Sequence, residues 1–223
     1  MRVCKTCRSR RPRGEIQRLA AGDEASNRCW SNRPHPSVAT RRQGPFPHRI
    51  GDVGVVKDLA THDIDITAWV TGCVFTWVAA QATYKTGRPH EDMVAISGRL
   101  SDGTITSHLV NWLSPFKERT VVVTGESGTL VADTLGSDLT FYANGEVPSQ
   151  WSEIATLRGV TEGDVVRYAI SKPEPLMSEL CAFRDAVRGV SADLVTMDQG
   201  VEIVRVAEAV LESASSGLAV ELE

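Results

Sequence analysis

The segment Gly51-Asp-Val-Gly-Val-Val-Lys-Asp58-Leu-Ala-Thr-His62-Asp63-Ile-Asp65 is the richest in groups suited to acid–base chemistry. On a helix, Asp58 and His62 lie four positions apart and share a face, with Asp65 three further on. A carboxylate beside an imidazole orients the ring and favours its protonated form. That pairing suits a general acid or base working near neutral pH. The plainer reading is a surface Asp/His pair that supports the helix. Metal binding is a third reading, with His48, Asp52, Asp58, His62, Asp63 and Asp65 as candidates by type. Their spacing matches neither H-E-x-x-H nor a calcium loop, so no metal ligand is assigned.

A second cluster lies near the N-terminus: Cys4-Lys-Thr-Cys7, then Cys29, then His35. Such a set can hold zinc tetrahedrally, and the arginines around it suit a polyanion such as nucleic acid. That would make a zinc-stabilised basic binding module. Against it stand a single C-x-x-C, a long irregular gap and little apolar support. A mobile arm accounts for the same residues, and nucleic-acid binding is not the expected role.

The elements that must position these groups can be read from periodicity. Val55, Leu59, Ile66 and Val70 share one side of a helix expected over Val53 to Val70, with Gly72 as its stop. Strand-like runs follow at Val74–Thr83, Met93–Leu100, Thr104–Trp112, Thr120–Thr124, Thr129–Asp133 and Leu139–Ala143. Asp102-Gly103 and Gly125-Glu126-Ser127-Gly128 are turn signals between pairs of them. Leu176, Leu180, Phe183 and Val187 make a helix face closed by Gly189. A last helix starts at Thr196, where Thr196 and Gln199 fit a capping box, and Met197, Val201, Val204, Ala207 and Leu211 form its apolar stripe. Helix, run of strands, then helices is an α+β order. The expected fold is a large, mainly antiparallel open-faced sheet with helices on one face.

Length and composition agree with a folded chain. The 223 residues are 42% hydrophobic and 23% charged, enough for a sizeable core and too apolar for general disorder. No apolar run approaches the ~18 residues of a membrane helix. The basic N-terminus lacks a following apolar stretch, so no secretory signal is read. Five cysteines at irregular spacing do not suggest a disulfide framework, and a cytoplasmic protein is expected. The net charge of −4 is uneven: residues 1 to 42 hold 11 Lys and Arg against 3 acidic residues. That asymmetry divides the chain into a basic irregular arm, 1–37, and a folded domain, 38–223.

The phrase G-P-F-P-H-R-I-G-D-V-G-V-V-K-D-L-A-T-H-D-I-D resembles the start of the C-terminal domain of the glucose–fructose oxidoreductase, inositol dehydrogenase and MocA family. The resemblance continues through T-V-V-V-T-G-E-S-G-T-L-V-A-D and closes with E-P-L-M-S-E-L-C-A-F-R-D-A-V-R-G and a final helix. It covers roughly Val38 to Glu223, and the arm before it resembles nothing in the family. The resemblance implies an NAD(P)-dependent dehydrogenase acting on a sugar, polyol or nucleotide sugar, with a slight lean to UDP-sugars from G-P-F-P-H-R-I. It implies a sheet like that of the glyceraldehyde-3-phosphate dehydrogenase C-terminal domain, with the open face used between subunits of a homo-oligomer. It places Gly54, Asp58 and His62 on the family motif. His62 would then take the hydroxyl proton as hydride leaves the carbon, and Asp58 would orient it. Asp65 is read as a polar helix position.

Two features of that family are missing from the 223 residues. No G-x-G-x-x-G turn for a dinucleotide is present. The family's catalytic lysine sits in an E-K-P motif, whereas the only K-P here is Lys172-Pro173, late in the chain and without the glutamate. The chain therefore reads as a truncated dehydrogenase, expected to be inactive alone and to bind neither NAD(H) nor NADP(H) usefully. His108, in an apolar strand, is read as a sheet residue. Trp69, Trp77, Trp112, Phe116 and Phe183 are read as core or interface, and Cys73 and Cys181 as buried, inert thiols.

Overall fold

Strand β1, Ser37–Pro45, buries every second residue: Val38, Thr40, Arg42 and Gly44. Three of these are not apolar, which is why hydrophobic alternation does not announce the strand. A computed structural model of the chain describes residues 37–47, 50–145, 161–169, 174–190 and 194–222. The arm over 1–36, with Cys4, Cys7, Cys29 and His35, lies outside the described residues, as do His48 and Lys172.

After β1 the chain makes one π turn, Val56–Ala60, and runs into helix α1, Thr61–Thr71. Gly72 ends it in the left-handed region at φ 68°, its amide donating to the Ala68 carbonyl at 2.8 Å. Then come β2 (Phe75–Thr83), β3 (Met93–Leu100), β4 (Ile105–Asn111), β5 (Leu113–Gly125), β6 (Gly128–Asp133) and β7 (Asp138–Gly145). Strand β8 (Thr161–Tyr168), helices α2 (Pro175–Val187) and α3 (Met197–Ser216) and the short β9 (Val220–Glu221) complete the order. The nine strands form one sheet in the order β8-β7-β6-β5-β1-β4-β3-β2-β9. Every neighbouring pair is antiparallel except β1–β4. The expected α+β sheet is thus present. β1, β8 and β9 are strands the periodicity missed, and β1 is the one at the middle of the sheet.

Turn chemistry holds where a special conformation is needed. The β5–β6 hairpin turns at Glu126-Ser127, between the paired Gly125 and Gly128. A Cβ on Gly128 would strike the Tyr142 carbonyl of β7, so the strands can approach only with glycine there. At α3, the Thr196 side chain accepts from the Gln199 amide and the Gln199 side chain from the Thr196 amide, the capping box expected from sequence.

Helices α1 and α3 cover one face of the sheet over two apolar clusters. Val55, Val56, Ala60 and Ile64 pack with β2–β4 and with Val206, Ala207 and Val210 of α3. Val38, Val121, Val123, Leu130 and Leu139 form the other cluster, closed by Ile66 and Val70 of α1. The expected α3 stripe is corrected: Met197, Val201 and Val204 are more than half exposed, while Val206, Ala207, Ala209, Val210 and Ser213 are buried. Only the second half of α3 lies over the sheet, where Ser213 Oγ also receives the Ala80 amide at 2.9 Å. Trp112 is core, but Phe116 and Phe183 are exposed. Among the described residues, no helix is long and apolar enough to cross a membrane.

Candidate active site

The start of the π turn and α1 is held by a carboxylate that sequence reasoning overlooked. Glu91 is buried; its carbonyl accepts from the Val55 amide at 3.1 Å and its side chain from the Val56 amide at 2.9 Å. It acts as the cap of the helical run, although it lies 35 residues away in sequence. A Cβ on Gly54 would fall on this carboxylate, so the glycine of the family motif is needed for the cap to seat. The neighbouring Asp92 accepts from the Lys85 amide (2.7 Å), the Thr86 amide and hydroxyl (each 2.8 Å) and Arg88 (3.1 Å). Burial acts to raise its pKa, but these bonds outweigh it and hold the carboxyl at about 2. Arg88 in turn lies over the Phe46 and Trp112 rings, at 4.3 and 5.0 Å. The 84–92 loop is thereby fastened, and the cap with it.

Asp58 sits on the π turn, and His62 follows in the first turn of α1. The Thr61 amide reaches back to the Val56 carbonyl, five residues away, and this widened turn separates the two. No hydrogen bond joins Asp58 to His62; the carboxylate acts on the ring through space. The ring is solvent-accessible. Asp58 does favour the imidazolium, but it does not set the net direction. Partial burial, and next the charge of Arg42, push the His62 pKa below its ordinary value; Asp63 and Asp58 oppose them and Arg119 adds to them. His62 is therefore neutral at neutral pH and able to accept a proton.

Beneath His62 lies a polar floor that the spacing of Asp58 and His62 does not reveal. Arg42 of β1 donates through Nε to Asp63 Oδ1 at 2.8 Å, with both groups buried. Burial pushes the Asp63 carboxyl up, and the Arg42 charge and hydrogen bond oppose that. Thr40 Oγ1 and His108 Nδ1 lie 2.8 Å apart across the parallel β1–β4 pair. His108 is a fully buried sheet residue, as read from sequence, and burial pushes its pKa down to about 4. The alternation of buried positions on β1 was the available signal for Thr40 and Arg42, with Asp63 next to His62 as the carboxylate that could meet them.

The remaining candidates do not join this site. Asp52 is exposed. Asp65 lines a groove of about 500 Å³ between α1 and α3, shared with Trp69, Phe75, Glu202 and Val206. Among the described residues, no group of three or more His, Cys, Asp or Glu is placed to hold a metal ion. Cys73 is half-buried rather than buried, and desolvation followed by Asp102 pushes its thiol pKa up, consistent with an inert group.

A nicotinamide dinucleotide does not fit the described residues. It needs a strand–turn–helix in which free helix amides face the pyrophosphate. Among the described residues, the only parallel strands, β1 and β4, are separated by α1 and two antiparallel strands, and the α1 approach is filled by the Glu91 carboxylate.

This geometry has known counterparts. Residues 17–131 match the GFO/IDH/MocA C-terminal domain, which is more than half of the chain. The chain belongs to the GFO/IDH/MocA oxidoreductase family through that domain. The match begins well before Val38, which corrects the expectation that the arm resembles nothing in the family. No curated protein matches by sequence. Among solved structures, the UDP-N-acetylglucosamine 3-dehydrogenase GnnA from Acidithiobacillus ferrooxidans is 22% identical with a TM-score of 0.64, over 91% of this chain and 61% of that one. GenD2 from gentamicin A biosynthesis, in complex with NAD, is also 22% identical with a TM-score of 0.64, over 95% and 60%. Levoglucosan dehydrogenase, in complex with NADH and L-sorbose, is 16% identical with a TM-score of 0.71, over 95% and 63%. The chain spans less than two thirds of each of these proteins, and at such identities the likeness is one of fold.

Proposed function

We propose that these residues form the substrate half of an NAD(P)-dependent dehydrogenase of a sugar, polyol or nucleotide sugar, with His62 as its proton acceptor. One observation carries the reading: the exposed His62 imidazole adjoins Asp63, which is fixed by a buried ion pair with Arg42, on the segment whose Gly54, Asp58 and His62 resemble the family motif. An alcohol is too weakly acidic to lose its proton unaided, and a neutral imidazole within reach of the hydroxyl supplies the base. Asp58 is the positioning residue, since its charge favours the imidazolium that forms. The neighbours that bear sugar-dehydrogenase names support the substrate class. The nicotinamide cofactor of the reaction is held elsewhere than on the described residues. A second copy covers the open sheet face, where Ala39, Ala95, Leu109 and Val122 lie among Arg41, Gln43 and Ser97.

The test is turnover in a fusion of this chain to a relative's dinucleotide domain. His62→Ala lowers turnover by ~10²-fold or more, the usual contribution of a positioned base, with dinucleotide affinity unchanged. Unaltered turnover removes His62 from the role. Asp58→Asn lowers turnover as well, because the imidazolium loses its compensating charge.

A further inference from the structure

Strand β5 places a second arginine at this site. Arg119 is the register partner of Arg42 across the antiparallel β1–β5 pair, so both side chains leave the sheet on the helix-covered face. Like charges set directly opposite one another on neighbouring strands are destabilising. Arg42 is compensated by Asp63 at 2.8 Å. Arg119 is half-buried, and among the described residues its guanidinium has no ion pair or side-chain hydrogen bond. Glu118, its chain neighbour, faces the opposite side of the sheet, where it takes a hydrogen bond from Gln43 at 2.6 Å and lies 3.9 Å from Arg41. Arg119 is close enough for its charge to act on the His62 ring.

A partly desolvated guanidinium with its fork of N–H donors unspent suits an anion, which it can hold by two parallel charge-assisted hydrogen bonds. Asp63 is committed to Arg42 and Glu118 to the far face, and among the described residues no ion pair joins Asp58 to Arg119. We propose that Arg119 anchors an anionic group of the substrate, phosphoryl or carboxylate oxygens, beside the His62 proton acceptor. This rests on the functional reading above and narrows its substrate to a sugar derivative that carries a negative charge. A neutral polyol would leave Arg119 uncompensated in the complex, while an anion would relieve its repulsion with Arg42.

The experiment is histidine NMR on the 223-residue chain at constant ionic strength, because the basic arm attracts anions non-specifically. The probes are inorganic pyrophosphate, glucuronate and neutral glucose. One of the two anions moves the His62 ring signals saturably, and which one does so separates phosphoryl from carboxylate substrates; glucose does not. The same anion raises the His62 titration midpoint by cancelling the Arg119 charge. The groups facing the ring are Arg42 from β1, Arg119 from β5, Asp58 from the π turn and Asp63 from α1, and of the two cations Arg42 is already paired with Asp63. Arg119→Gln abolishes the anion response or weakens affinity at least about tenfold. Arg119→Lys, which keeps the charge and loses the fork, falls between; it also serves if the glutamine variant does not fold. Three outcomes overturn the proposal: no response of His62 to either anion, an equal response to glucose, or an undiminished response in both variants. Turnover of the fusion is not involved. A His62 shown to be catalytically inert, yet still reporting Arg119-dependent anion binding, overturns the catalytic reading alone.

Discussion

At the residue scale, three groups at and near the site, His62, Asp63 and His108, differ in character. His62 is accessible and kept neutral by partial burial and Arg42. Asp63 is committed to Arg42, so its role is to hold that cation under the ring. His108 is deep in the sheet and neutral because it is buried. The last has a thermodynamic consequence. Its pKa is about 4 when folded, against 6.5 as the ordinary value, so between those values the unfolded chain binds a proton that the folded chain does not. Stability attributable to His108 is intact above pH 6.5, falls as the pH drops and is fully lost below about 4. The loss is roughly 3 kcal/mol. Urea denaturation at pH 7, 5.5 and 4 measures it, and His108→Gln flattens that dependence. His62 contributes in the same direction and remains in both proteins, so the difference between them isolates His108. Asp92, with its carboxyl at about 2, loses its contribution only as the pH falls below the ordinary carboxylate value of 3.8, outside this window.

At the element scale, the π turn and α1 depend on a long-range cap. Glu91 supplies the acceptor that a local Ser, Thr or Asp would otherwise provide, and no side chain at the turn's own start does so. Glu91→Ala leaves the Val56 amide unpaired in a buried setting and destabilises the chain by about 1–3 kcal/mol. Gly54→Ala drives the same carboxylate out of place and costs a similar amount, and the two losses are less than additive because they break one contact. A double-mutant cycle read by thermal unfolding checks this; full additivity would separate Gly54 from the cap. The Arg42–Asp63 pair ties β1 to α1. Removing one partner strands a buried charge, so Arg42→Met costs about 3–5 kcal/mol, and Arg42→Met with Asp63→Leu recovers most of it.

At the scale of the molecule, α1 and α3 pack on one face of the sheet. The described residues offer no seat for a dinucleotide. A fluorescence titration of the chain with NADH and with NADPH at physiological salt accordingly shows no saturable binding at micromolar concentration, and saturation would require a nucleotide site among the other residues. The open face should pair with a second copy, which light scattering reads as a mass above that of one chain; a clean monomer at micromolar concentration counts against it.

Much of this architecture was legible before any coordinates. Turn residues, alternation and caps located six strands, the stop at Gly72 and the capping box at Thr196, because each rests on interactions within a few residues. Spacing alone showed that Asp58 and His62 share one segment; their place on a motif with Gly54 came from the family resemblance. What lay beyond reach depends on residues distant in the chain. β1 was hidden because its buried positions are filled by Thr40 and Arg42, whose partners His108 and Asp63 are supplied by another strand and a helix. The direction of the His62 pKa was misread because a local carboxylate was visible and the burial and the Arg42 charge were not. Glu91 looked like one acid in a loop until Gly54 came against it. Local chemistry sets which elements form and which groups are available. Whether a charge is exposed or buried, paired or unpaired, is decided by what the fold brings from elsewhere, and electrostatic energies are governed by those surroundings.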